Sequence, residues 1–524
     1  MAFDSPHSRN QQKNDWIYPI HCHSFNTFAT VYNQRETLPN RRATPGPHLK
    51  KAVPLFKGIQ KIRSGSLWRD LRESIAGTEL DFTTGKLGRA IFLLSVPMAL
   101  EMMMESVFAV ADIFFVSKLG ADAVTAVGLT ETMMTLIYAL AVGLSTATTS
   151  MVSRRIGEKN HRGASVVAFQ AILTGILISL VIGIPGMIYA RDLLALMGAS
   201  PEIVQHFGGY TVIMMGGNVV IMLLFIINAV FRSAGDAAIS MRVLWFANLL
   251  NIILDPLLIF GIGPFPELGV TGAAIATTIG RGMAVALQLY YLFNRRHRVS
   301  LSLKDLTFDH RIMGRLIKLS LGGVGQHIIA TSSWIVLIRI ISIFGSTIVA
   351  GYTIAIRIMI FALLPAWGLS NAASTLVGQN LGADQPERAE RSVWVTGWSN
   401  AIFMGIIGLI MILYSEFFIR IFMDDPAVVQ AGVVCLRFIS AGFIAYGLGM
   451  VMVNALNGAG DTFTPTIINI FCYWILEIPL AWFLAIRSGM SETGVYISIL
   501  VAETAMTLAA LIVFKSGRWK KTRV

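Results

Sequence analysis

Glu101, Glu105 and Asp112 stand in one apolar stretch, at spacings of four and seven residues that put all three on roughly one face of a helix. A second apolar stretch reads Asn251-Ile-Ile-Leu-Asp255-Pro256, which sets an amide and a carboxylate one turn apart on a shared face. A charged side chain at the centre of a bilayer costs about 2.5–3.5 kcal/mol on insertion scales, so acids at such positions need a partner or a task. Pro256 lacks an amide proton and clashes with an earlier carbonyl, which frees backbone oxygens beside Asp255 and makes Pro256 a hinge candidate. Carboxylates, an amide oxygen and freed carbonyls are the hard ligands that suit Na⁺, and two carboxylates in a low dielectric can equally share a proton. Both uses stand open, and both make Asp112, Asn251 and Asp255 a candidate cation-coupling site. Pro97, earlier in the stretch that carries Asp112, is either a second hinge or a first-turn proline that costs the helix little.

Other polar residues within apolar runs are candidates for a substrate cleft: Glu105, Gln326 and Glu477, the last just ahead of Pro479. Glu101 suits an acid near a headgroup or one paired with a neighbouring helix, and Glu503 has no role assigned. Met102, Met103, Met104, Met133, Met134, Met214, Met215 and Met222 gather in the first half. Thioethers adapt to irregular ligands, although core packing or lipid contact explains such a cluster as well.

The elements that position these residues follow from composition. Of 524 residues 54% are hydrophobic and 14% charged, and the mean hydropathy is +0.64, against about 25% charged in soluble domains. Twelve apolar runs follow one another from residue 90 to 514, each long enough to cross about 30 Å of hydrocarbon. The expected fold is therefore all-α, a polytopic membrane protein of twelve transmembrane helices. A net charge of +12 would raise nucleic acid in a soluble protein, but here Lys and Arg sit between the spans and report topology. They crowd the even-numbered connections, as in Arg154, Arg155, Lys159 and Arg162, which places both termini in the cytoplasm and the chain in the inner (plasma) membrane. Cys22, Cys435 and Cys472 are too scattered for a disulfide framework or a zinc site.

The runs form two related halves at a constant offset of 225 residues. Gly143-Leu-Ser matches Gly368-Leu-Ser, Ala234-Gly-Asp matches Ala459-Gly-Asp, Gly120 matches Gly345 and Gly269 matches Gly494. With six spans in each half, the lobes enter the membrane from the same side and are related by a pseudo-two-fold axis along its normal, as in transporters that alternate access around a central site. The expected organisation is a disordered basic cytoplasmic extension at 1–86, an N-lobe at 87–298, a cytoplasmic linker at 299–311, a C-lobe at 312–514 and a basic cytoplasmic tail at 515–524. At that offset Leu337 and Leu480 replace Asp112 and Asp255, so coupling belongs in the N-lobe.

From about 90 to 514 the chain resembles the multidrug and toxic compound extrusion (MATE) family. The resemblance rests on Asp112 through Gly120, Asn251 through Gly261 with Gly272 through Thr277, and Gly368 through Gly382 with Glu387-Arg388-Ala389. It implies two six-helix lobes around a central cleft, and export of cationic or amphipathic compounds by antiport with Na⁺ or H⁺. It adds Thr277 to Asp112, Asn251 and Asp255 as the cation site of the DinF-like branch, with Pro97 as the proline that bends the first helix. It implies no cofactor beyond the coupling ion, a small-molecule substrate, the bilayer as the principal partner, no nucleic acid, and a monomer. A lipid-linked sugar flippase or organic-acid exporter of the same superfamily and a passive channel are the rival readings. An enzyme is disfavoured, since no HExxH or GxSxG pattern occurs.

Overall fold

The computed structural model describes residues 64–77, 81–294, 297–302 and 307–524, and every regular element among them is helical. The unstructured extension expected at 1–86 lies mainly outside the described residues, but its last part needs correction. Helix α1, Ser64–Ala76, stands there, bound to the first span. Arg89 reaches Asp70 at 3.2 Å and Glu73 at 2.5 Å, and the buried Ser74 hydroxyl donates to the Leu93 carbonyl at 3.2 Å. That carbonyl is available because Pro97, four residues on, has no N–H to offer it.

The first span, α2 (Leu87–Ser117), is one helix of 31 residues, about 46 Å long at 1.5 Å per residue. Pro97 lies well inside it, which excludes the first-turn alternative. The N-lobe continues with α3 (Ala121–Gly157), α4 (His161–Ile188), short α5 (Ala190–Leu196), α6 (Pro201–Gly216) and α7 (Asn218–Ala234) as one span broken at Gly217, α8 (Ala237–Ile259) and α9 (Val270–Phe293). The C-lobe holds α10 (His310–Ile341), α11 (Ser346–Gly382), α12 (Pro386–Leu413), short α13 (Ser415–Arg420), and α14 (Pro426–Ala441) bent by 52° against α15 (Phe443–Ala459). Its next span alternates α16 (Phe463–Asn469) and α17 (Ile478–Trp482) with π-helical turns at Ile470–Glu477 and Phe483–Arg487, and α18 (Ser491–Lys515) closes it. Among the described residues ten helices are long and apolar enough to cross a membrane, and the bent α14–α15 pair makes an eleventh. Helix α2, with its three acids, completes twelve.

The repeat is visible in backbone detail. Helices α3 and α11 are both 37 residues long and α4 and α12 both 28, while Gly120 and Gly345 share φ 103° and Gly235 and Gly460 share φ 94°. Only glycine adopts such angles without strain, so these matched positions carry the turns between spans. The offset of 225 does not run unbroken to the end. Gly272 lies against the Leu258 backbone, whereas Gly494 lies against Leu484 and Ala485. The penultimate span is therefore displaced by 226 and the last by 222, and the π-helical turns of the penultimate span take up its extra residue.

The lobes meet tightly along one half of the spans. Gly143 of α3 packs on Ser320 and Val324 of α10, Gly368 of α11 on Met98 and Ala99, and Gly157 and Gly382 on the backbones of Gln379 and Arg154. The expected linker is not loose where it is described, since Val299 and Leu301 are buried in the N-lobe core. Nor does the basic tail hang free. Trp519 is 1% exposed and stacks on Phe514 at 4.9 Å, Lys520 pairs with Glu390 of α12 at 2.5 Å, and Arg154 of α3 donates to the Thr522 carbonyl at 2.6 Å. The tail thus straps both lobes at the closed end. Trp519→Ala should cost about 3 kcal/mol, as truncation of a buried tryptophan does, and should lower the melting temperature of the purified protein in detergent.

Candidate functional site

Residues from three helices, α2, α8 and α9, converge within the N-lobe. Asp255 is fully buried on α8 and Asp112, on α2, is 7% exposed. With the Asn251 amide turned so that its nitrogen faces Asp255, it donates to Asp255 Oδ2 at 2.8 Å while its oxygen accepts from the Thr277 hydroxyl at 3.1 Å and the Thr277 N–H at 3.0 Å. This orientation satisfies every partner, where the reverse would set oxygen against oxygen. Asp112 and Thr277 line one cavity of about 150 Å³, and Asp112 is close enough to Asp255 for their charges to interact. All four residues expected at the cation site are thus neighbours. Helix α8 continues through Pro256 to Ile259 and holds Asn251 and Asp255 in the one-turn spacing read from the sequence.

Two groups on the cavity escaped the sequence reading. Arg281 of α9 is 6% exposed, donates to Tyr138 Oη at 3.1 Å, pairs with Glu105 at 3.4 Å and lies 5.4 Å from the Phe108 ring centre. Glu131 of α3 lines the same wall. The signal for Arg281 was present, since it is the one arginine inside its span and an intramembrane charge marks a site by default. Of the methionines only Met134 and Met214 line the cavity, and Met215 and Met222 are core residues. The expected methionine-rich wall is corrected to those two.

The remaining candidates separate. Glu105 stays on the cavity, its second oxygen accepting from Asn248 at 3.2 Å. Glu101 belongs to an interhelical pin, paired with Arg232 at 2.9 Å and accepting from Asn228 at 3.3 Å. Gln326 occupies the matching place in the C-lobe, 225 residues on, and exchanges hydrogen bonds of 3.0 and 3.1 Å with Asn457, the counterpart of Arg232. One lobe therefore uses an ion pair where the other uses two amides. Gln326 also donates to the Thr462 carbonyl at 2.9 Å, so its polar atoms are committed to holding the C-lobe together. Copying the amide pair into the N-lobe with Glu101→Gln and Arg232→Asn should preserve expression and melting temperature within about 1 kcal/mol. Arg232→Ala alone leaves a buried carboxylate unpaired and should cost about 3–5 kcal/mol, read by the same melt. Glu477 is 1% exposed inside the C-lobe, apart from this cluster.

A family model described as MatE matches residues 97–257 and 324–483. The chain is similar to the probable multidrug resistance protein YoeA of Bacillus subtilis, at 24% identity over 83% of this chain and 95% of that one. It is similar to the probable multidrug resistance protein NorM of Thermotoga maritima, at 25% over 84% and 94%. Among solved structures it matches a MOP superfamily transporter from Pyrococcus furiosus with a TM-score of 0.78 and 26% identity, covering 84% of this chain and 98% of that one.

Proposed function

The chain belongs to the MatE family of multi-pass membrane transporters, and on that premise we propose that it exports cationic or amphipathic small molecules in exchange for H⁺ or Na⁺. The observation that carries the exchange is the buried hydrogen-bonded cluster of Asn251, Asp255 and Thr277, joined through Thr277 to the cavity that Asp112 also lines. An isolated charge there is costly, and an exchangeable cation removes the cost. The named relatives bear multidrug resistance in their descriptions, and the acid-lined cavity suits the same class of cargo here.

The coupling cycle follows from differential affinity. An ion biases a switch between two arrangements only as far as it binds one better than the other. Asp112 shares α2 with Pro97, and Pro97 removes a backbone bond beside the Gly368 contact between lobes, so occupancy of the site and the set of the seam are joined through one helix. The closed end carries Arg154 and Arg155, which the positive-inside rule assigns to the cytoplasm of an inner-membrane protein with both termini inside. This state then faces outward, ready to release cargo and take up an ion. The protein needs no cofactor and acts as a monomer.

The test is transport of a fluorescent organic cation in proteoliposomes under separately imposed Na⁺ and pH gradients. Accumulation driven by either gradient supports antiport. Equal flux with no ion gradient would identify a passive channel instead.

A further inference from the structure

The C-lobe buries two carboxylates that the N-lobe mechanism does not use. Glu477 ends the π-helical turn Ile470–Glu477 and is 1% exposed; Glu503 of α18 is 8% exposed. Each has an Oε2 atom without a hydrogen-bond partner. Their other contacts are neutral: Tyr473 donates its hydroxyl to Glu503 Oε1 at 3.1 Å, and Ser333 of α10 bonds to Glu477. The two acids are close enough for their charges to interact, and the titratable groups that face them from adjoining helices are Tyr352, Tyr446, Tyr473 and Cys472. No basic group is among these. Glu101 and Glu105, by contrast, have Arg232 and Arg281.

The repeat sharpens the difference. Counted from the Gly272 and Gly494 contacts, Glu503 stands where the N-lobe has Arg281, and Glu477 falls near the counterpart of Asn251. The C-lobe has therefore exchanged a guanidinium for a second acid. Two adjacent carboxylates with no counter-charge in a low dielectric cannot both remain ionised, because each pays its own desolvation as well as their mutual repulsion. Glu503 faces a cavity walled by Trp334, Tyr352, Phe443 and Tyr446, with room for about one water molecule. The π-helical turn opens the backbone at the same level, a distortion that recurs at functional sites.

We propose that Glu477 and Glu503 form a proton-binding site within the C-lobe, separate from the N-lobe cluster, that holds one proton. Binding forms one carboxyl O–H bond, breaks one O–H bond of the hydronium ion that delivers the proton and leaves water, and cancels one negative charge. The cavity is too small for an organic cation, and among the described residues no group of three or more His, Cys, Asp or Glu side chains gathers that would hold a metal ion. A proton needs one lone pair. The site stands whether or not the N-lobe couples transport.

The test is infrared difference spectroscopy of the full-length protein in lipid nanodiscs, between neutral and strongly alkaline buffer. The wild type should show the carbonyl stretch of a protonated carboxyl at neutral pH. The band should persist in Asp112→Asn/Asp255→Asn and vanish in Glu477→Gln/Glu503→Gln. Tyr473→Phe, which removes only the hydrogen bond to Glu503, should shift its frequency and serves even where the double glutamine variant does not fold. A band that survives the glutamine pair, that is indifferent to Tyr473→Phe, or that Na⁺ displaces at constant pH would overturn the assignment.

Discussion

Asp255→Asn should abolish gradient-driven export while leaving the protein folded and inserted, and Asp112→Asn should do the same. The substitution keeps the shape at each position, and an asparagine oxygen at 255 can still accept from the Asn251 amide, so the packing of α8 on α9 loses no hydrogen bond. What it removes is the negative charge that an exchanging cation must neutralise. Exchange of one monovalent cationic cargo for one cation moves no net charge, so the drive is the chemical gradient of the ion, and a roughly fiftyfold gradient, about 2.3 kcal/mol, supports roughly fiftyfold accumulation of cargo per ion. In proteoliposomes with an imposed Na⁺ or pH gradient, the accumulation ratio of a fluorescent cation should therefore fall from tens to about one in either variant. Binding of the cargo in the absence of a gradient should change far less. Full accumulation in either variant would remove the N-lobe cluster from the mechanism.

The parts of this arrangement that were legible in the sequence share one physical cause. A polar group in hydrocarbon is expensive wherever it stands, so Asp112, Asn251 and Asp255 were conspicuous against their apolar neighbours, and the glycine pairs of the repeat were conspicuous because no other residue makes those turns. Thr277 was different. A threonine in a span is cheap, and only the family resemblance singled it out. Arg281 was as expensive as the acids yet went unweighed, because it lies between two glycines in a stretch of small residues and its partners Glu105 and Tyr138 come from other helices. Glu101 pairs across helices with Arg232, a basic residue near a span end that sequence position alone assigns to the topology-setting charges. The displacement of the last two spans was not readable at all. A π-helical turn inserts a residue without any special residue type, so the register of Glu477 and Glu503 against the N-lobe emerges only from which glycine touches which backbone.

Arg281 also marks where the coupling cycle can be tuned. Its guanidinium pairs with Glu105 and faces Asp112 across the cavity, so a cation arriving at Asp112 and Asp255 meets one fixed positive charge already in place. In the proposed exchange that charge would keep the site from holding its ion too tightly to release it. A unit charge across such a cavity, at an effective dielectric near 20, is worth on the order of 2 kcal/mol, or roughly thirtyfold in an equilibrium constant. Arg281→Gln should accordingly lower the ion concentration for half-maximal effect by about that factor, read from the Na⁺ or pH dependence of cargo release. Maximal export should fall, since an ion bound more strongly in every state leaves more slowly. Arg281→Lys keeps the charge while losing the planar fork to Tyr138, and should restore the ion dependence more fully than the turnover. If Arg281→Gln left the ion dependence unmoved and only lowered the melting temperature, Arg281 would be a packing partner of Glu105 and Tyr138 with no hand in exchange.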